Sequence, residues 1–495
     1  MNTPQLTPAL LQQRPELCPD AARLLALPEK IIQFGTGVLL RGLPDYFVHK
    51  ANQEGIFNGR IVVVKSTDRG GVDAFSDQEN LFTHCIRGVE DGQVVEQTFI
   101  NTAISRTLSA RSDWAEIVQC AHNSELQIVI SNTTEVGIQL VEDDLTASPP
   151  TSFPGKLTAF LYERFRAFGG SAESGMVVIP TELVVDNGPK LRDIVLEQAR
   201  RHTLGDEFIQ WLTNHTHFCS SLVDRIVPGL PDEDTQRTLM ESLGYQDELL
   251  IMSEVYRLWA IEGGDHVKSV LSFAQADTGV VINPDINLHR ELKLRLLNGS
   301  HTFSVGLFFL SGLQTVCESM ETPAMEQFIT DLTLNELAPA IPYEVDLDRA
   351  RTFGNQVLDR FRNPYIKHQL IDITVQYTAK MRMRNIPTLR SHYEKFGTVP
   401  ARMAQGFAAF VLFMKATENR DGAYFGELNG IKYPIRCDAA GYFYELWEKY
   451  PSDPATLLAS LLANEELWGV NLSELPDFQD TVLANMEVIH SEMAG

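Results

Sequence analysis

The sequence predicts an α/β N-terminal domain with a parallel sheet, followed by a mostly α-helical C-terminal domain. Up to about residue 205, short runs of β-branched and apolar residues alternate with helical patterns, and this alternation is typical of a parallel sheet covered on both faces. Beyond that point the strand signals become rare and helical periodicity dominates. The chain has 495 residues, 44% of them hydrophobic, which is enough to bury more than one core.

The individual elements follow from these patterns in chain order. Four strands are predicted at 31–34, 61–64, 128–130 and 176–179. Helices between them are predicted at 38–53, 110–122 and 156–168. In the second half, helices are predicted at 325–337, 346–359, 366–383, 401–416, 454–464 and 476–492. The predicted domains are an N-terminal surface arm at 1–28, a nucleotide-binding domain at 29–280 and a helical substrate domain at 281–495.

Composition excludes several classes of function. The net charge of −24 disfavours binding to nucleic acid or to an anionic membrane surface. The six cysteines are scattered without a CxxC pair, so neither a zinc site nor a disulfide framework is predicted. No apolar run is long enough to span a bilayer, and the N-terminus lacks the pattern of a signal peptide. These observations favour a soluble cytoplasmic protein.

A glycine turn follows the first predicted strand. The segment Phe34-Gly35-Thr36-Gly37-Val38 joins that strand to the next helix. Glycines in this position let the backbone approach a pyrophosphate, and the following amides are free to bind it. A GxG alone is more often only a tight turn, and the third small residue, Gly42, comes late. Its place at the first strand of a βαβ pattern favours a cofactor loop in a Rossmann-type domain.

The end of the second strand bears on the choice of nucleotide. An acid there binds the ribose hydroxyls of NAD, and Asp68 is available for this role. Lys65 or Arg69 would instead suit the 2′-phosphate of NADP. Thr134 and Glu135 follow another strand end and are predicted to line the cofactor cleft.

The segment KLRLLNGSH contains Lys293, Asn298 and His301 in an otherwise apolar stretch. At about 100° per residue, Asn298 lies about 140° and His301 about 80° from Lys293 on a helical wheel. Lys293 therefore needs its long side chain, or a break in the helix, to join the other two. The alternative interpretation is a core helix with a buried histidine and a lysine whose stem lies along it.

Six stretches in order resemble the mannitol dehydrogenase family of polyol-specific, zinc-independent, long-chain dehydrogenases and reductases. The similarity extends from about residue 28 to beyond 470. The matching stretches are IIQFGTGVLLRG (31–42), SNTTEVGI (131–138), VVIPTELVVDNG (177–188), FCSSLVDRIVPG (218–229), KLRLLNGSH (293–301) and FRNPYIKHQL (361–370). The resemblance implies a Rossmann-type domain, a helical C-terminal domain and NAD as cofactor.

The resemblance also implies roles for individual residues. Lys293 is the implied general acid/base, and Asn298 is implied to hold the reacting oxygen, with His301 orienting substrate or lysine. Asn187 corresponds to a second asparagine of the family, although the sequence of its DNG segment differs from the one usual in mannitol dehydrogenases. His368 stands where many relatives have an aspartate, which agrees with the branch that acts on uronates.

The uronate interpretation requires a cation for the substrate carboxylate. Lys380, Arg382 and Arg384 supply three at alternate positions, although such a run is also typical of a solvated helix end. The implied reaction is the reversible, NAD(H)-dependent reduction of D-tagaturonate to D-altronate in hexuronate catabolism. Two alternatives stay open: a related activity on fructuronate, mannitol or arabinitol, and a catalytically silent NAD-binding regulator.

Overall fold

The computed structural model describes residues 3–65, 73–133 and 137–494. The chain divides into two compact units. The first comprises residues 1–87 and 94–286, and the second comprises residues 88–93 and 287–495. Each unit is described separately below.

A six-stranded parallel sheet forms the centre of the first unit. In spatial order its strands are Ile104–Ser109, Arg60–Lys65, Glu29–Phe34, Ile128–Ser131, Val177–Pro180 and His217–Phe218. Numbered along the chain, this order is 3-2-1-4-5-6, that of a doubly wound dinucleotide-binding sheet. The α/β expectation is therefore confirmed.

Alternate residues of these strands enter different cores, because successive side chains of a strand point to opposite faces. Ile31 and Val63 belong to one buried cluster, and Ile32 and Val62 belong to another. The helices of this unit are Pro8–Gln13, Ala21–Leu25, Val38–Gly42, Pro44–Gln53, Asp73–Asp77, Trp114–Gln119, Phe153–Ala167, Asn187–Arg201, Asp206–Asn214, Glu233–Leu243 and Asp265–Val270. Helix Asn287–Leu292 begins the second unit.

The first predicted helix is split in two. Helix Val38–Gly42 ends before Pro44, which begins helix Pro44–Gln53, because proline lacks the N–H that would continue the ladder. Asp45 in the second of these helices is fully buried. Burial raises the pKa of Asp45 to about 8, against the lowering effects of Arg41 and Gln33.

The N-terminal segment is packed rather than extended over the surface as predicted. Leu6, Leu10 and Leu24 are buried in a cluster that also contains Tyr245. Helix Pro8–Gln13 begins at Thr7, whose side chain accepts a hydrogen bond from the Leu10 amide. The leucine content of this segment is therefore used for burial.

Sequence patterns missed the strands that lie outside the central sheet. Six of these strands form two three-stranded sheets, which belong to the first unit apart from residues 88–93. One sheet comprises Phe82–Glu90, Gln93–Asn101 and Ile251–Ser253, and the other comprises Ser221–Asp224, Leu258–Glu262 and Val280–Asn283. In the second unit a three-stranded antiparallel sheet comprises Glu418–Arg420, Ala423–Leu428 and Ile431–Pro434. Several of these strands have only three or four residues, which is too short to show a period-two pattern.

Helices make up most of the second unit, as predicted. They are Gly299–Leu310, Val316–Glu321, Pro323–Asp331, Ala338–Ala340, Leu347–Phe361, Leu370–Ile373, Tyr377–Lys380, Ile386–Phe396, Ala401–Phe413, Ala440–Lys449, Pro454–Leu462, Glu465–Trp468 and Phe478–Ala494. Three π-helical turns interrupt them at Lys293–Asn298, Leu332–Leu337 and Met381–Asn385. In the described part of the chain, no helix is long and apolar enough to cross a membrane.

Two helices of this unit pack with their backbones in close approach. A Cβ placed on Gly406 would lie 2.5 Å from the carbonyl oxygen of Phe303, and one on Gly306 would lie 3.1 Å from that of Ala409. Helices Gly299–Leu310 and Ala401–Phe413 therefore meet through glycine, where any side chain would force them apart.

Candidate active site

The glycine turn lies at the point where the strand order of the central sheet reverses. The amide of Gly35 donates to the carbonyl of Val64, and that of Asn132 donates to the carbonyl of Phe34. Gly35 has φ of +137°, and a Cβ there would lie 3.0 Å from the Asn132 carbonyl oxygen. The turn is thus held between neighbouring strand ends, in the crevice where doubly wound sheets bind ligands.

Gly37 offers the open backbone that a pyrophosphate requires. It is exposed, and a Cβ built on it has no heavy atom within 4 Å. Thr36 and Val38 on either side are partly buried, and Phe34 is fully buried under the turn. The predicted cofactor residues Asp68, Thr134 and Glu135 lie outside the described residues, as does Arg69.

Asn187 is fully buried in the first unit and bonded to backbone groups. Its Nδ2 donates to the carbonyls of Pro180, Glu182 and Ser221 at 3.0–3.1 Å. Its Oδ1 accepts from the amides of Gly188 and Ser221. The carboxamide therefore joins two strand ends to the start of helix Asn187–Arg201. These bonds fix the carboxamide in one orientation, and the oxygen-binding role that the resemblance implied stays a prediction.

Lys293 and Asn298 are the first and last residues of a π-helical turn, where the sequence analysis assumed an α-helix. A π turn has i→i+5 hydrogen bonds, so residues five apart lie on the same side of the helix. The separation of about 140° expected for an α-helix is thereby reduced, and His301 follows in the next helical turn. Both Lys293 and Asn298 are partly exposed.

Hydroxyl groups stabilise this turn by bonding to its carbonyls. Thr302 Oγ1 donates to the Asn298 carbonyl at 2.8 Å, and Ser300 Oγ donates to the Leu297 carbonyl at 3.1 Å. Their acceptors are backbone groups whose ladder partners a π turn displaces. The sequence contained this signal as the Ser300 and Thr302 that flank His301.

His301 lies in a cluster of aromatic and cationic groups within the second unit. Its ring is 4.1 Å from that of Phe361 and 5.3 Å from that of His368, measured between centroids. Burial lowers the pKa of His301 well below its usual value, and four basic side chains nearby lower it further. These neighbours are His368, Arg360, Arg384 and Lys380. His301 is therefore neutral near pH 7.

Lys380 immediately precedes the second π turn, Met381–Asn385, and Arg384 lies within it. Lys380 Nζ donates to the Ile373 carbonyl at 2.8 Å, and Arg384 Nη1 donates to Thr302 Oγ1 at 3.3 Å. Burial lowers the pKa of Lys380, with a further contribution from Arg384. The predicted helix end is wrong here, because the chain continues as helix Ile386–Phe396.

Arg382 faces a different part of the surface. It is exposed, and its Nη1 donates to the Glu466 carbonyl at 3.3 Å. With Met383 and Trp468 it lines a shallow pocket that does not include His301, Lys380 or Arg384. Arg382 is therefore removed from the carboxylate partners that we propose.

Arg360, a buried member of the His301 cluster, was not among the predicted site residues. It lies near the end of helix Leu347–Phe361, on the side that also buries Phe353 and Val357. A cation at an apolar position of an amphipathic helix was the available signal, since buried charges need a partner or a function.

The residues present fit a nicotinamide nucleotide and give no indication of a metal. The open backbone at Gly37 and the reversal of strand order beside it suit a dinucleotide pyrophosphate. Among the described residues, no group of three or more His, Cys, Asp or Glu side chains is arranged to hold a metal ion.

Comparisons with known proteins agree with this geometry. Residues 29–273 match the mannitol dehydrogenase Rossmann domain, and residues 285–490 match the mannitol dehydrogenase C-terminal domain. The altronate oxidoreductase of Bacillus subtilis (strain 168) is 38% identical over 94% of this chain and 93% of its own length. That of Escherichia coli O6:K15:H31 is 36% identical over 93% of this chain and 94% of its own length.

Two solved structures have the same fold. The mannitol 2-dehydrogenase of Pseudomonas fluorescens, in a ternary complex with NAD and D-mannitol, aligns with a TM-score of 0.64 at 24% identity and 99% coverage of both chains. A substrate-free D-sorbitol dehydrogenase aligns with a TM-score of 0.72 at 19% identity, covering 95% of this chain and 96% of its own.

Proposed function

The chain belongs to the mannitol dehydrogenase family, and we propose that it catalyses the reversible NAD(H)-dependent reduction of D-tagaturonate to D-altronate. The identity to altronate oxidoreductases over almost the whole chain supports this reaction. The structural observation that carries the choice of a charged substrate is the cationic cluster around His301. Lys380, Arg384 and Arg360 all act on the same imidazole, on a protein whose net charge is −24.

The proposed chemistry requires that charge be stabilised on an oxygen. Bound NADH supplies the hydride. As the carbonyl of the substrate is reduced, negative charge develops on its oxygen, and a fixed donor lowers the energy of that state. We assign this role to the Asn298 side chain, which shares one side of the π turn with Lys293. Lys293 then donates a proton to the oxygen, and in the reverse direction it removes the hydroxyl proton.

The remaining groups orient the substrate. Neutral His301 is suited to hydrogen bonding with a hydroxyl group, because its burial disfavours the charged form. Arg384 and Lys380 are the proposed partners of the carboxylate, and His368 lies near Lys380. A guanidinium offers two parallel donors to a carboxylate, which fixes its direction as well as its position.

The cofactor-binding residues are likewise a proposal. Gly35, Thr36 and Gly37 would lie under the pyrophosphate, with Phe34 and Val38 shaping the turn. We propose NAD rather than NADP on the family resemblance and on Asp68. A cytoplasmic location suits the six free cysteines, since thiols persist in a reducing compartment.

A panel of substrates and both nucleotides tests this function. D-tagaturonate, D-fructuronate, fructose and mannitol would be assayed with NAD(H) and NADP(H), following absorbance of the reduced nucleotide. We expect the highest kcat/KM for tagaturonate with NADH. A preference for fructose or mannitol would assign the chain to a polyol-acting relative. Nucleotide binding without turnover of any substrate would favour a silent regulator.

A further inference from the structure

The two π turns of the proposed substrate site are joined by one buried arginine. Arg295 lies within the turn that contains Lys293 and Asn298, and its Nη1 donates to the carbonyls of Met383 and Arg384 at 3.0 and 2.7 Å. Those acceptors belong to the turn that ends with Arg384 and Asn385. One guanidinium thus connects the proposed proton-transfer side of the site with its proposed carboxylate side.

A proline explains why the Met383 carbonyl needs this partner. Two residues after the second π turn, Pro387 has no N–H to donate to the carbonyl four residues before it, which is that of Met383. Arg295 provides the missing donor from the neighbouring segment, and its own charge is paired through Nε with Glu291 at 2.9 Å.

A second contact joins the same two segments, with its donor on the second turn. Asn385, which is fully buried, donates from Nδ2 to the Gly299 carbonyl at 3.2 Å. A Cβ on Gly299 would lie 3.1 Å from Asn385 Oδ1, so the approach depends on glycine. The first π turn is followed by no proline. It is therefore supported by these contacts and by its hydroxyl groups.

We propose that Arg295 is a positioning residue. It fixes the distance from Lys293 and Asn298 to Arg384, the proposed partner of the carboxylate. A ketouronate carries its carboxylate at one end of the carbon chain and its reacting carbonyl near the other. The charged end aligns the carbonyl only if the two sides of the site are fixed relative to each other, because small misplacements reduce rates strongly. An uncharged ketose makes no use of this connection. The inference rests on the proposed function.

A double-mutant cycle tests it. Arg295→Gln, Arg384→Ala and the double variant would be assayed with tagaturonate and fructose, with Tm measured for each. We expect Arg295→Gln to lower kcat/KM for tagaturonate about 10-fold and that for fructose no more than about 2-fold. In the Arg384→Ala background, Arg295→Gln should cost no more than about 2-fold, because coupled residues are non-additive.

Two further variants separate positioning from stability. Lys395→Gln removes a cation that also donates to two backbone carbonyls, those of Pro339 and Ile341, outside the site. We expect it to lower Tm without a substrate-selective loss. Arg295→Lys keeps the charge near Glu291 but loses the forked donor. It replaces Arg295→Gln in the cycle if the latter does not fold, and it should show the same selectivity at smaller magnitude.

The outcomes are distinct. Equal losses on both substrates, additive losses with Arg384→Ala, or a selective loss in Lys395→Gln would overturn the role of Arg295 while leaving the proposed function intact. A wild type that reduces no ketouronate would overturn the proposed function, and this inference with it.

Discussion

The first unit offers its ligand mainly backbone, whereas the second offers side chains. At Gly35 and Gly37 the main chain is held open between strand ends, and its position follows from the strand order of a six-stranded sheet. In the second unit, Lys293, Asn298 and Arg384 lie on helical turns that depart from α geometry. A regular scaffold is therefore sufficient to bind a nucleotide. Recognition of a particular substrate requires irregular turns and the buried groups that stabilise them.

The largest loss of activity is expected for a substitution in the second unit, which offers side chains to its ligand. Lys293→Ala removes the proposed proton donor, and general acid/base groups contribute about 10²–10⁴-fold to rate. We expect kcat to fall within that range while NADH affinity, measured by fluorescence titration, stays within about 2-fold. Lys449→Ala is the control, since Lys449 is an exposed lysine at the end of helix Ala440–Lys449. Retention of most of kcat in Lys293→Ala would remove the lysine from the mechanism.

The next prediction, also for the second unit, separates recognition of the substrate carboxylate from a general loss of activity. Arg384→Ala should lower kcat/KM for tagaturonate by about 10- to 100-fold, because a charge-assisted hydrogen bond contributes about 1.5–3 kcal/mol. Fructose should lose much less. Arg382→Ala is the matched control, since it removes an arginine from the same π turn on its exposed side. Equal losses on both substrates would make Arg384 structural.

A smaller effect, on nucleotide affinity, is expected for a substitution in the glycine turn of the first unit. Gly37→Val places a branched side chain where the structure is open, and it should weaken NADH binding about 10-fold, or about 1.4 kcal/mol. Gly264→Val is the control, because Gly264 also has open space around its Cβ position and φ of −95°. Isothermal titration calorimetry would measure both. Unchanged affinity in a folded Gly37→Val variant would make the loop a plain turn.

The smallest effect concerns stability and should leave catalysis alone. Burial raises the pKa of Asp45 to about 8, whereas an unfolded aspartate titrates near 4. Between these values the folded state retains a proton that the unfolded state has released, so stability falls as pH rises. Asp45→Asn removes this loss. Its Tm advantage over the wild type should grow from pH 5 to pH 8, by about 2–4 °C for each kcal/mol.

Scanning calorimetry across that pH range is the measurement, with kcat determined in parallel. A Tm difference that does not change with pH would show that Asp45 ionises normally. A large fall in kcat would extend the catalytic machinery into the first unit and weaken the contrast between the halves.

Periodicity predicted the scaffold because it depends on repeated burial. Residues such as Ile31 and Ile32 enter opposite cores, and any sequence that satisfies both faces shows the same apolar run. The parallel sheet and the glycine turn followed from that pattern, whereas the strand order came from the structure. The short strands were missed because three or four residues carry too little of it.

The substrate half was less predictable because its geometry depends on non-local contacts. The motif identified Lys293, Asn298 and His301, but an α-helical wheel separated the first two by about 140°. Pro387 was visible in the sequence, yet its consequence appears only where Arg295 meets the Met383 carbonyl. Arg360 belongs to no motif in the sequence, and its proximity to His301 depends on how helix Leu347–Phe361 packs.

The glycine contact between helices Gly299–Leu310 and Ala401–Phe413 has a consequence for how such an enzyme diversifies. Because Gly306 and Gly406 leave no volume for a side chain, the helix that bears His301 cannot shift to suit a new substrate. Adaptation is thereby directed to the opposing segment, where exchanging Lys380 or Arg384 alters charge without moving a backbone. In a library that varies all four positions, functional clones should retain both glycines while the two cations vary with the substrate used for selection.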